Sequence, residues 1–95
     1  MFNGIINNTG TVFRIISREK GIELFVKSKI IFKKKDLGSS ISCDGVCLTL
    51  VDYKKNISKF YLSNETIIRS KFKFIKIGNV LNLELPLKFG QDISG

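Results

Sequence analysis

Apolar and polar positions alternate with a period of two along most of the chain. Ile22, Leu24 and Val26 interleave with Glu23, Phe25 and Lys27, and Leu81, Leu83, Leu85 and Leu87 interleave with Asn82, Glu84 and Pro86. Such alternation places one face of a strand in a core and the other toward solvent. Pro86, which cannot donate to a ladder, suits a strand end or edge. Residues 11–16 and 57–62 read as further strands, with a bend at Thr9-Gly10 after an opening strand from Phe2. Residues 40–43 and 46–52 flank Asp44-Gly45, a pair that favours a tight two-residue hairpin turn with positive φ at both centres. In the second arm Val46, Leu48 and Leu50 share the core face. Cys47, Thr49 and Val51 share the other, which is too apolar for open water and too polar for a core, the mark of a surface that meets a ligand or another subunit. Residues 30–35 fit one or two helical turns stopped by Leu37-Gly38, and residues 65–70 fit a short helix capped by Ser63 or Asn64, with Glu65 at its positive end. Six short strands with glycine-bearing turns and two short helices predict an all-β, six-stranded antiparallel barrel, because closure removes sheet edges.

Composition narrows the chemistry. Ninety-five residues suit a single domain, 1–95, and an apolar share of 43 % supports one core. No apolar run approaches the ~18 residues of a membrane span. The start Met1-Phe2-Asn3-Gly4 lacks the basic, then apolar, character of a secretory signal. The chain holds no histidine, which argues against zinc enzymes and histidine-based triads. Cys43 and Cys47, on one extended segment, would lie about 13 Å apart, too far to bridge, so a reduced cytoplasmic protein is expected. The net charge of +8 raises a nucleic-acid reading. Its densest run, Lys33-Lys34-Lys35, has no interleaved aromatics and reads as a solvated face. Phe72-Lys73-Phe74 interleaves two aromatics with lysine, and its rings are expected to be largely packed. Nucleic acid and membrane are therefore not the expected partners.

Four strings carry the reading further. The chain opens Met1-Phe2-Asn3-Gly4-Ile5-Ile6, close to M-F-T-G-I-[IV]. Ser40-Ile41-Ser42-Cys43-Asp44-Gly45-Val46-Cys47-Leu48-Thr49-Leu50 matches S-[IV]-x-x-[ND]-G-[VC]-C-L-T-V. Asn64-Glu65-Thr66-Ile67-Ile68-Arg69 matches x-E-T-[LI]-x-[RT], and Ile77-Gly78-Asn79-Val80-Leu81-Asn82-Leu83-Glu84 matches V-G-D-x-V-N-[LV]-E. In this order and spacing the chain resembles riboflavin synthase. It departs at Asn3 (usually Thr), at Asn79 (usually Asp) and at Leu85-Pro86. Gln91-Asp92-Ile93-Ser94-Gly95 resembles the stretch that precedes the family's second barrel, so the chain is similar to the first of two barrels.

The resemblance implies a Greek-key barrel that binds 6,7-dimethyl-8-ribityllumazine for its dismutation to riboflavin and a pyrimidinedione, without metal or cofactor. It implies a trimer in which each site joins a first barrel to a neighbour's second barrel, and poor turnover by one barrel alone, with a homodimer as the possible assembly of that barrel. By motif, the ring-binding surface comprises Gly4, Ile5 and Ile6, then Cys47, Leu48 and Thr49, then Tyr61, Leu62, Ser63, Asn64, Glu65 and Thr66. Backbone groups at these strand ends would meet the imide edge of the ring. Ser40, Thr49 and Thr66 would reach ring or ribityl oxygens, Glu65 would take ribityl hydroxyls, and Phe2 would order the neighbouring subunit's site. The general base is not assigned. Plainer roles fit the same residues: Thr49, Thr66 and Glu65 as strand or helix-start residues, Cys47 as a buried filler, Phe2 as core. A non-catalytic flavin or lumazine carrier of antenna type is the alternative function.

Overall fold

The computed structural model describes residues 6–86. Six antiparallel strands close into a barrel: β1 (Ile6–Arg18), β2 (Gly21–Ser28), β3 (Ser40–Cys43), β4 (Val46–Lys54), β5 (Ile57–Ser63) and β6 (Val80–Leu85). Around the barrel they run β1-β2-β5-β4-β3-β6, with β6 paired to both β1 and β3. The inward positions of the alternating pattern fill the interior: Leu24, Val26, Ile41, Leu48, Leu50, Phe60, Leu62, Leu81, Leu83 and Leu85 are all buried. Phe60 lies opposite Leu24 on one side and Leu50 on the other, at the centre of this core.

The expected bend at Thr9-Gly10 is absent, because β1 runs through it unbroken. Gly10 is there for room. A Cβ at this buried position would lie 2.5 Å from Val26 Cγ1 and 2.9 Å from Leu83 Cδ1, so the barrel closes tightly here only around a residue without a side chain. The chain bends instead by two bulges. Phe13 is the extra residue between Val12, opposite Val26, and Arg14, opposite Phe25. Val51 is the extra residue between Leu50, opposite Phe60, and Asp52, opposite Lys59. Each bulge puts two consecutive side chains on the outer surface.

The Asp44-Gly45 turn forms as its sequence demands, with φ of 51° and 84°. Asp44 also ties the hairpin to β6: its N–H donates to the Asn82 carbonyl (2.8 Å) and its Oδ1 accepts from the Asn82 N–H (2.7 Å). The helix expected at 30–35 reduces to one 3-10 turn, Lys34–Asp36. Ile30 and Phe32 are buried while Ile31 is exposed, so this stretch keeps the period of two. Asp36 closes the turn by accepting the Lys33 N–H at 2.8 Å. The second helix, α1 (Asn64–Ile68), forms with Ser63 as its cap and is followed by a 3-10 turn, Lys71–Phe74. In that turn Phe72 is buried but Phe74 is exposed, contrary to the expectation that both rings pack. β6 ends at Leu85 with Pro86 after it, and Leu87 lies outside the described residues. Asn79, which replaces an aspartate of the resembled pattern, keeps the acceptor role: its Oδ1 takes the Lys76 N–H at 2.9 Å.

Candidate functional site

The outer ends of β4 and β5 bring the sequence-chosen residues together. Pairing between these strands runs from Lys54 opposite Ile57 to Thr49 opposite Tyr61 and stops there. Beyond that rung, Cys47-Leu48 and Leu62-Ser63 continue as strand without facing each other in the β4–β5 register. The strands thus open a notch whose walls are main chain, the arrangement that an imide edge with alternating donors and acceptors can enter. α1 starts at the mouth of this notch. A cleft of about 400 Å³ lies between them, lined by Gly45, Val46, Cys47, Glu65, Thr66, Arg69 and Ser70.

Side-chain chemistry in the cleft is polar and weakly charged. Ser63 Oγ accepts the Thr66 N–H at 3.2 Å and lies 3.1 Å from Thr66 Oγ1, so the two hydroxyls form one unit at the helix start. Glu65 and Arg69, one turn apart on α1, form an exposed ion pair at 3.3 Å. Such a pair contributes little to stability, which leaves both groups available to a ligand.

Cys47 is exposed and Cys43 is buried; both are free thiols. Cys47 lines the cleft, so the plainer reading of it as a buried filler does not hold in this barrel. The separation argued from an extended segment also fails. Ser42 pairs with Cys47 and Cys43 with Val46, so the two cysteines occupy neighbouring rungs across the hairpin. What keeps them apart is facing, one inward and one outward. Burial is the main cause that pushes the Cys43 thiol up to about 12 from 9.0, helped by the Asp44 charge. Because the unfolded thiol ionises at lower pH than the folded one, this group's contribution to stability is full below about pH 9 and declines as pH rises toward 12. Thiol titration of the native chain is expected to modify Cys47 alone, and Cys43→Ala is expected to flatten the fall in stability between pH 9 and 11 in urea unfolding. Rapid native labelling of Cys43 would contradict this.

Other chosen residues lie elsewhere or serve differently. Leu48 and Leu62 send their side chains into the core, so they offer a ligand main chain only. Asn64 is a structural tie: its N–H donates to the Lys20 carbonyl (2.9 Å) and its side chain reaches the Glu19 carbonyl (3.5 Å). Ser40, Thr49 and Tyr61 form one outward row across β3, β4 and β5, beside the cleft but not on its lining. Ile6 opens β1 opposite Leu85. Phe2, Gly4 and Ile5 lie outside the described residues. Arg69, Ser70 and Val46 line the cleft without having been chosen from sequence; the signal for Arg69 was its place four residues after Glu65 on one short helix. Among the described residues no group of three or more metal-binding side chains occurs, and no helix is long and apolar enough to cross a membrane.

The notch and cleft lie within a recognised sequence family. The family model of the lumazine binding domain matches residues 3–86. The chain belongs to the lumazine binding domain family. Its relatives include the riboflavin synthase of Buchnera aphidicola subsp. Baizongia pistaciae (strain Bp), 34 % identical over 96 residues covering 100 % of this chain and 45 % of the relative. That of Bacillus subtilis (strain 168) is 33 % identical, covering 88 % and 39 %. That of Photobacterium phosphoreum is 35 % identical over the same shares. This chain therefore spans less than half the length of these relatives. Among solved structures, LumP complexed with 6,7-dimethyl-8-(1'-D-ribityl) lumazine superposes with a TM-score of 0.71 at 24 % identity, covering 93 % of this chain and 50 % of LumP. That likeness shows that the two share a fold, which in this chain is a closed barrel.

Proposed function

We propose that this chain binds 6,7-dimethyl-8-ribityllumazine in the β4–β5 notch and supplies one half of a riboflavin synthase active site. The observation that carries the reading is the end of β4–β5 pairing at Thr49 and Tyr61, which leaves Cys47-Leu48 and Leu62-Ser63 unpaired with each other, as strand main chain beside α1. In this reading the ring's imide edge pairs with that main chain. Thr49 and the Ser63–Thr66 hydroxyl unit hold ring or ribityl oxygens, Glu65 takes ribityl hydroxyls, and Ser40 and Tyr61 flank the ring. Gly4, Ile5 and Ile6 complete the surface, and Phe2 reaches the neighbouring site. The strand order is read as a Greek key.

The reaction moves a four-carbon unit between two lumazines, so the second ring must come from a second barrel. The relatives' greater length supports a two-barrel protein, of which 1–95 is the first barrel. Its proposed assembly is a cytoplasmic homotrimer. The protein's part is mainly orientation, since the substrate's own ring stabilises the carbanion formed at its methyl group; holding two reactants in place is worth about 7–11 kcal/mol. A non-catalytic carrier is supported less, because the relatives above are named as the enzyme.

Fluorescence titration with the lumazine tests the binding. Saturable one-to-one binding is expected, with Thr66→Val weakening it about fivefold or more through loss of one hydrogen bond, and Cys47→Ser changing it less than threefold. Unchanged fluorescence at millimolar protein would refute the assignment.

A further inference from the structure

The two bulges build a second concave surface at the opposite end of β4. An open groove of about 510 Å³ lies there, lined by Phe13, Arg14, Phe25, Asp52, Lys54 and Lys55 among others, within the volume range of small-molecule sites. It shares no lining residue with the cleft at Cys47 and α1. Five to seven strand residues separate the two, about 17–23 Å.

We propose that this groove is a separate ligand site for a phosphorylated aromatic of nucleotide size. The first reason is the aromatic floor. An even alternation after Val12 would leave Phe13 outward and turn Arg14 into the core; the bulge keeps both outside. Phe13 is 54 % exposed, a large apolar ring held in solvent beside the half-buried Phe25. The second reason is charge. The Arg14 guanidinium carbon lies 5.9 Å, and Lys59 Nζ 5.6 Å, from the Phe25 ring centroid, so cations already lie over an aromatic face. Arg14, Lys54, Lys55 and Lys59 face a single carboxylate, Asp52, in the lining. Lys59 is shared with Glu23 at 3.3 Å, so a phosphate would draw mainly on Arg14, Lys54 and Lys55. The third reason is Asp52 itself. Its Oδ1 takes the Tyr53 N–H at 2.8 Å, which leaves its second oxygen to accept from sugar hydroxyls. Ring, sugar and phosphate each have a matching group. A second copy of this +8 chain does not fit as occupant, since like charges would meet.

Calorimetric titration of the whole chain with adenosine diphosphate tests the site. Expected are saturable one-to-one binding that weakens between 50 and 200 mM salt, and binding at least about tenfold weaker for adenosine and for pyrophosphate alone. Phe13→Ala and Arg14→Gln should each weaken it about fivefold or more, as loss of a stacking face or a cation predicts. Both should retain the wild-type melting temperature and lumazine titration. Should Phe13→Ala fail to fold, Lys54→Gln/Lys55→Gln on the exposed turn serves the same purpose. Absence of saturable binding at millimolar nucleotide, pyrophosphate binding as tight as the nucleotide, wild-type affinity in the folded variants, or displacement of the nucleotide by 6,7-dimethyl-8-ribityllumazine would each overturn the proposal. Failure of lumazine binding alone would fell the proposed function and leave this site standing.

Discussion

Riboflavin formation by the 95-residue chain alone is expected to be at least about a hundredfold slower per lumazine site than by a two-barrel relative such as the Bacillus subtilis enzyme. One notch presents one ring. A second copy of the same barrel would have to present the other by symmetry, so both rings would meet identical contacts. Losing even ~3 kcal/mol of the ~7–11 kcal/mol that orientation supplies gives a rate loss of about two orders of magnitude. Product absorbance in parallel assays at equal site concentration checks this. A rate within tenfold of the relative would show that one barrel suffices.

Phe60→Ala is expected to cost about 3–5 kcal/mol, much of the stability of a chain this small. Phe60 is fully buried, with Leu24 and Leu50 as its cross-strand partners, so little can collapse into the space it leaves. The melting temperature should fall by at least about 12 °C, at roughly 4 °C or more per kcal/mol. Phe74→Ala, at a ring 71 % exposed, should shift stability by no more than about 0.5 kcal/mol. Equal losses in the two variants would mean that the core has been wrongly placed.

The strands were legible because one buried face imposes a period of two, and nearly every alternating run became a strand. Residues 30–35 departed from the expected helix because burial of Ile30 and Phe32 with Ile31 exposed keeps the alternation, and only Lys34–Asp36 turns. Thr9-Gly10 looked like a bend because glycine is usually read through its freedom of φ; here it is needed for the Val26 and Leu83 side chains, which only the closed barrel brings close. The bulges at Phe13 and Val51 depend on long-range register and left no local signal. For the site, the motifs chose Cys47, Glu65 and Thr66, and the fold places all three on one cleft. The Ser63 cap was legible as well, because its partner is the Thr66 N–H three residues on; the tie of Asn64 to the β1–β2 turn was not, because its partners are fixed by the fold.

The most direct test is amide chemical-shift mapping of the chain titrated with 6,7-dimethyl-8-ribityllumazine. The shifts are expected to concentrate at residues 45–49 and 61–70, with the largest at the Cys47-Leu48 and Leu62-Ser63 amides, beyond the last β4–β5 pair. Shifts concentrated at Phe13, Phe25 and Lys54–Lys59, or at the 3-10 turn Lys34–Asp36, with the notch amides unmoved, would contradict the account.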